Sequence, residues 1–182
     1  MMKPHGILLA AGSGTRLWPL TSYVNKHLCA VYDKPLIYYP LTLLILAGCE
    51  SISLVVNKSD ENVYSGLVEY LAKLNVSVDL VIQDKSRLGI PSAILAAESA
   101  INSSEVLRFI VALGDNILVS TGIIQQIISS HSSTGATAFS QKVADPERFG
   151  IVSRDINGAV RDLCEKPKHF VSGEALVGLY LF

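Results

Sequence analysis

Between residues 6 and 130, short apolar runs alternate with segments that carry their apolar residues at helical spacing. No other feature narrows the possible folds so much. The runs Gly6 to Ala10, Ser51 to Asn57, Ser77 to Gln83 and Arg108 to Ala112 are rich in Ile, Leu and Val, as strands covered on both faces are. Parallel strands need crossover connections of a dozen or more residues, and the segments between these runs have that length and a helical pattern.

The predicted fold class is therefore α/β, a Rossmann-like, mostly parallel sheet flanked by helices. Pro40 sits in the first turn of a helix that continues from Leu41 to Ala47 and stops at Gly48. Ser59 is placed to cap a second helix that runs to about Lys73, with Leu67, Leu71 and Leu74 on its sheet-facing stripe. Pro91 opens a third helix that ends near Ile101, and Gly122 to Ser130 form a fourth. From Ala136 the pattern changes to strands: Ala136 to Gln141, Gly150 to Arg154, Val160 to Glu165 and Ala175 to Phe182, with a hairpin turn at Asn157-Gly158. The C-terminal part is thus expected to be β-rich.

The chain has 182 residues, 49% of them hydrophobic, which suits a single domain with a two-sided core. A formal net charge of -1 without any long basic run gives no electrostatic footprint for nucleic acid or an anionic membrane. The expected partner is a small molecule. Cys29, Cys49 and Cys164 form no CxxC pair and suit a reducing cytoplasm. The apolar stretches Ile7 to Ala11 and Ile37 to Ala47 are too short for a signal or a membrane span.

Directly after the first apolar run comes Gly12-Ser13-Gly14-Thr15-Arg16. In open α/β sheets ligands bind beyond the carboxyl ends of the strands. Gly12 and Gly14 let the backbone approach an anion and aim N–H groups at phosphate oxygens, and Arg16 adds a fork of donors. The spacing is neither that of a Walker A loop nor that of the three-glycine dinucleotide fingerprint. A phosphate loop for a nucleoside triphosphate is the expectation.

The wider window Leu9-Ala10-Ala11-Gly12-Ser13-Gly14-Thr15-Arg16-Leu17-Trp18-Pro19-Leu20-Thr21 resembles the signature of the sugar-1-phosphate nucleotidyltransferases. Asn25-Lys26-His27-Leu28 and Tyr32-Asp33-Lys34-Pro35-Leu36-Ile37-Tyr38-Tyr39-Pro40-Leu41 are similar to its bacterial glucose-1-phosphate thymidylyltransferase branch. Leu113-Gly114-Asp115-Asn116-Ile117, Asp145 to Val152, Glu165-Lys166-Pro167 and Gly178-Leu179-Tyr180 follow in that branch's order.

The resemblance implies a nucleoside triphosphate, dTTP foremost, and glucose 1-phosphate as substrates, Mg²⁺ as cofactor, and a homo-oligomer in the full-length family. It places Leu9, Ala11, Gly12, Ser13, Gly14 and Thr15 around the triphosphate, Arg16 at the departing pyrophosphate, Lys26 at the α-phosphate and Asp115 on Mg²⁺. By the same resemblance Gln83 and Gly89 contact the base, while Gly150, Glu165 and Lys166 hold the sugar phosphate. These residue types fit the chemistry, because phosphoryl-type transfer to an already ionised nucleophile needs positioning and charge neutralisation more than a general base.

The four histidines, His5, His27, His131 and His169, have no ligand spacing and are expected at the surface or hydrogen-bonded in place. Tyr32, Tyr38 and Tyr39 are expected to pack, and Trp18 is a candidate for the cleft mouth.

Departures from the pattern are Ala30 in place of a usual proline, Gly89-Ile90-Pro91-Ser92 in place of Gly-Leu-Ala-Gln, and no Gly-Asp-Gly-Ser between Gly66 and Val78. The resemblance also implies a second metal-binding aspartate and further helices shortly after Tyr180. With the sequence ending at Phe182, the expectation is one domain over 1–182 shortened at its C-terminal end, an Mg²⁺ held by Asp115, phosphates and water, and an exposed apolar patch along Leu179 to Phe182.

Overall fold

Alternation of side chains across each strand sends successive apolar residues to opposite faces of the sheet, and both faces are covered. The computed structural model describes residues 3–12, 14–83, 89–98, 101, 108–118, 120–129 and 135–182, with the side chains of Arg16 and Thr121 also outside the described set. Its parallel half comprises β1 (His5–Leu9), β4 (Ser51–Asn57), β5 (Ser77–Gln83) and β6 (Phe109–Leu113). Two short antiparallel strands lie between β1 and β4 in sequence, β2 (Ala30–Val31) and β3 (Lys34–Pro35). The C-terminal half adds β7 (Thr137–Lys142), β8 (Gly150–Arg154), β9 (Val160–Glu165) and β10 (Glu174–Leu181).

The order in the main sheet is β5-β4-β1-β6-β10-β8-β9, with β7 also paired to β10. β5, β4, β1 and β6 run parallel, and β10 pairs antiparallel to β6, β7 and β8. Leu8, Ile52, Leu54 and Ile110 face one core with α1 (Tyr38–Leu46), α2 (Glu61–Lys73) and α4 (Thr121–Ser129); Ile7, Leu9, Val55 and Val111 face the other with α3 (Ile90–Glu98). Each fully buried Leu or Ile contributes about 1.5–3 kcal/mol through the area it removes from water. His5 is buried within this sheet, where its ring nitrogens meet the hydroxyls of Ser51 and Ser53 at 2.7 and 2.9 Å.

Local differences from the sequence-based expectation have physical causes. α1 starts at Tyr38, and Gly48 stops it at φ +92° with its N–H on the Ile45 carbonyl. The chain enters α2 through a 3-10 turn at Lys58–Asp60, and no side-chain cap from Ser59 forms. The buried anchors of α2 are Tyr64 and Leu71, with Leu67 partly buried; Leu74 lies past the last turn and is exposed. The described part of α3 ends at Glu98, before the predicted end at Ile101. Tyr32 occupies the tight turn between β2 and β3 at φ +62° and is 97% exposed, so it does not pack. Tyr38 packs on the core and Tyr39 donates its hydroxyl to the Val31 carbonyl. The β8–β9 hairpin turns over Ile156 to Gly158, where Asp155 Oδ1 accepts from the N–H groups of Asn157 and Ala159, and Gly158 takes φ +83°.

The largest correction concerns the last strand. The apolar patch expected along Leu179 to Phe182 does not form, because β10 is an inner strand. Leu179 and Leu181 enter one core and Tyr180 packs against the other, leaving Phe182 half exposed. β10 reaches this position with a register shift between Leu176 and Tyr180 at Gly178, whose φ is +64°. Asn116 donates its side-chain amide to the Val177 carbonyl there, tying the loop after β6 to β10.

Candidate functional site

A cleft of about 830 Å³ opens beyond the carboxyl ends of the parallel strands, where Leu9, Asn57, Gln83 and Leu113, the last residues of β1, β4, β5 and β6, all line it. Of the residues singled out in the sequence, Leu9, Ala11, Gly12, Lys26, Gln83, Gly89 and Asp115 come together on its walls.

Lys26 and Asp115 meet across the cleft. Lys26 Nζ donates to Asp115 Oδ2 at 2.6 Å, between residues 89 apart in sequence. The glycine loop is folded around this lysine. A Cβ on Gly12 would lie 3.2 Å from Lys26 Cε and Nζ, and one on Gly14, which takes φ +63°, would lie 2.8 Å from Lys26 Cβ. Gly114 has a similar reason to be glycine: it donates its N–H to the Leu9 carbonyl, and a Cβ would come within 2.8 Å of that oxygen and 2.9 Å of His27 Cδ2. Close seating of Gly114 against β1 sets where Asp115 follows. Burial pushes the Asp115 carboxyl up, but the Lys26 hydrogen bond and charge, the His27 ring and its own backbone N–H outweigh it and hold the group below its ordinary value.

The remaining candidates fall elsewhere. Gln83 is buried, with its amide 3.4 Å from the Gly89 carbonyl and 3.5 Å from Ser92 Oγ, and Gly89 takes φ +104°. Thr15 and the backbone of Arg16 form a 3-10 turn; the Arg16 side chain, Ser13 and His131 lie outside the described residues. Gly150 and Glu165 are register partners in the β8–β9 hairpin and Lys166 pairs with Glu165; none of these residues lines the cleft. Trp18 is 73% exposed and is not among the cleft-lining residues. His169 lines a second cavity of about 370 Å³ with Pro146 and Phe170.

Several cleft residues were not anticipated. Asn25 precedes Lys26 and acts as a hub. Its Oδ1 accepts from the His27 N–H at 2.9 Å, from His27 Nδ1 at 2.8 Å and from the Tyr64 hydroxyl at 3.3 Å, while its Nδ2 donates to Asp60 Oδ2 at 2.8 Å. Both ends of the amide are thus matched, which orients it and places the proton of His27 on Nδ1. Asn57 and Asp60 were findable from the strand-end rule alone, since Asn57 ends the strand next to β1 and Asp60 follows it. The roles of Asn25 and Tyr64 depend on α2 packing beside the loop, which no local pattern reveals.

Burial, then the Lys26 charge, push His27 down to about 4, against the raising influence of Asp115 and Asp60. Between the ordinary value of 6.5 and about 4, an unfolded chain takes up a proton that the folded protein refuses. Stability is therefore expected to fall as pH drops through this window, by up to roughly 3 kcal/mol from this group. Urea midpoints at pH 7 and pH 4.5 check it: His27→Gln should show a shallower acid loss, and equal slopes in the two proteins would refute the assignment.

Among the described residues no helix is long and apolar enough to cross a membrane, and no three His, Cys, Asp or Glu residues cluster as a cation site. The three cysteines are free thiols.

Comparison with known proteins agrees with this architecture. The chain is 37% identical over 183 aligned residues to glucose-1-phosphate thymidylyltransferase of Xanthomonas campestris pv. campestris, covering 100% of this chain and 61% of that protein. It is 39% identical over 176 residues to the enzyme of the same name from Neisseria gonorrhoeae, covering 96% of this chain and 60% of the relative. It thus spans about three fifths of the length of these curated relatives. A Bacillus anthracis crystal structure assigned as a glucose-1-phosphate thymidylyltransferase, in complex with a sucrose, superposes with a TM-score of 0.84 at 33% identity, over 98% of this chain and 70% of that one. A UDP-glucose pyrophosphorylase complexed with UDP-glucose shares the fold, with a TM-score of 0.79 at 24% identity over 99% of this chain and 76% of that one. The nucleotidyl transferase family matches residues 5–182, that is, both the parallel half with its cleft and the antiparallel half. The chain belongs to the nucleotidyl transferase family.

Proposed function

We propose that the 182 residues form a nucleotidyltransferase domain, the nucleotide-binding part of a protein that joins a nucleoside triphosphate, dTTP foremost, to glucose 1-phosphate, giving a nucleotide sugar and pyrophosphate. The observation that carries this reading is the Lys26–Asp115 pair at 2.6 Å beside the glycine loop, at the end of a parallel sheet. The substrate pair is taken from the names of the relatives.

In the reaction a phosphate oxygen of the sugar attacks the α-phosphorus in line, and the bond to the pyrophosphate oxygen breaks. Lys26, a compact ammonium, meets the charge that builds on the α-phosphate. Backbone N–H groups around Gly12 and Gly14, with Arg16, cradle the other phosphates and meet the leaving pyrophosphate. Gln83 and Gly89, on the cleft wall, contact the base; Gly150, Glu165 and Lys166, at the β8–β9 hairpin and outside the cleft lining, are given the sugar phosphate by family resemblance alone. The Asp115 carboxylate suits magnesium: it is held ionised, two fifths exposed, and engaged by Lys26 through Oδ2. Magnesium accepts one or two carboxylates, with phosphate oxygens and water completing its shell. When bound, Mg²⁺ supplies charge neutralisation on the phosphates. A cytoplasmic location and a homo-oligomeric state belong to the same proposal.

The product of the whole reading frame, mixed with dTTP, glucose 1-phosphate and Mg²⁺, is expected to release pyrophosphate. No release with dTTP or UTP across several sugar 1-phosphates would sink the reading. Preferential use of another nucleotide would make the protein a uridylyl- or guanylyltransferase, and nucleotide binding without any release would make it a binding module.

A further inference from the structure

Sheet order sets where each part of a nucleotide lies in the cleft. The glycine loop and the Lys26–Asp115 pair stand beyond β1 and β6, Gln83 and Gly89 stand beyond β5, and β4 runs between β1 and β5. Neighbouring strands are about 4.8 Å apart, so the span from β1 to β5 is about 10 Å. A nucleotide with its phosphates at the first group and its base at the second lays its pentose over the end of β4.

What stands there is Asp60, on the cleft wall with Asn57 and Ser59. Its Oδ2 accepts from Asn25 Nδ2 at 2.8 Å and from Asn57 Nδ2 at 3.4 Å. Asn57 Nδ2 also donates to the Ala11 carbonyl at 2.8 Å, which couples this carboxylate to the start of the glycine loop. Asp60 closes the 3-10 turn that leads into α2, with its backbone already helical at φ -101° and ψ -4°, and its side chain makes no hydrogen bond to the N–H groups of that helix. Here the carboxylate is turned to the two asparagines instead.

A carboxylate offers about four acceptor positions and no donor. In a cleft that receives a polyanion it repels phosphate, but it is well matched to sugar hydroxyls. In dinucleotide-binding sheets an acidic residue some 20 positions after the phosphate loop takes the ribose hydroxyl for the same reason. We propose that Asp60 accepts hydrogen bonds from the pentose hydroxyls of the bound nucleotide and so sets the selectivity of the cleft for the nucleoside sugar. This rests on the nucleotide-cleft reading above.

The test is calorimetric titration of the protein with two matched pairs, dTTP against 3′-deoxythymidine triphosphate and UTP against dUTP, each pair differing by one hydroxyl. In at least one pair the hydroxyl-bearing member should bind about tenfold more tightly, as expected for a hydrogen bond to a charged group. Asp60→Ala should bring that ratio close to one, and Asp60→Asn, which keeps an acceptor and the volume, should retain part of it. Equal binding within both pairs overturns the role of Asp60 and leaves the nucleotide cleft intact. A ratio that survives Asp60→Ala while both affinities drop also overturns it, and marks Asp60 as a prop for Asn25 and Asn57. If none of the four nucleotides binds, the nucleotide reading falls, and this one with it.

Discussion

Asp115→Asn is expected to lower the rate of pyrophosphate release by on the order of 10² to 10³, the range typical for removal of a group that stabilises developing charge. Asparagine has the same shape and keeps an acceptor for Lys26, whose ammonium lies 2.6 Å from the present carboxylate. It lacks the negative charge that would hold Mg²⁺ beside the phosphates. Because Asp115 is two fifths exposed, the substitution should leave the urea midpoint nearly unchanged, which separates loss of chemistry from loss of fold. A variant that turns over at the parental rate removes Asp115 from the proposed metal site. One that loses stability in step with activity shows that the ion pair serves the fold.

Gly178→Ala is expected to destabilise the protein by roughly 2 to 5 kcal/mol, the sum of left-handed strain and overpacking. Gly178 takes φ +64°, and a Cβ there would fall 2.4 Å from Asn116 Nδ2 and 2.5 Å from Leu113 Cδ1. Those neighbours belong to the end of β6 and the loop that carries Asp115, so the substitution should also weaken nucleotide binding. Gly158→Ala is the control. Its φ is +83° with nothing within 4 Å of the added carbon, and its cost should be the strain alone, about 1–2 kcal/mol. Urea unfolding of both variants decides it: equal losses would show that the Gly178 contact relaxes freely and that the loop after β6 is not locked to β10.

Much of the secondary structure was legible because its causes are local. The sequence pattern set the bounds of β4, β5, β8 and β9 to the residue, and a proline and a following glycine marked the first turn and the end of α1. Misplacements came where tertiary packing overrode a local preference. Ser59 was a reasonable cap, but Lys58–Asp60 tighten into a 3-10 turn whose aspartate bonds Asn25 and Asn57 instead. Tyr64 was not assigned to the core, yet it is the largest fully buried side chain of α2. An exposed apolar patch was expected along Leu179 to Phe182, and the insertion of that strand beside β6 cannot be read from a run of apolar residues that looks the same on an edge or in the middle of a sheet.

By itself, then, the sequence determined the order of the main-sheet strands and of the four α-helices, and the class of the sheet, but not the short β2–β3 pair. Periodicity and glycine spacing act over a few residues and need no knowledge of the rest of the chain. Only the tertiary structure decided which side chains share the cleft. Lys26 with Asp115, Asn25 with Asp60 and Asn25 with Tyr64 are 89, 35 and 39 residues apart. Their meeting depends on strand order, on the close seating of Gly114 against Leu9 and on the bulge at Gly178 that anchors Asn116. These are contacts between distant segments, each satisfied only once the whole sheet is assembled.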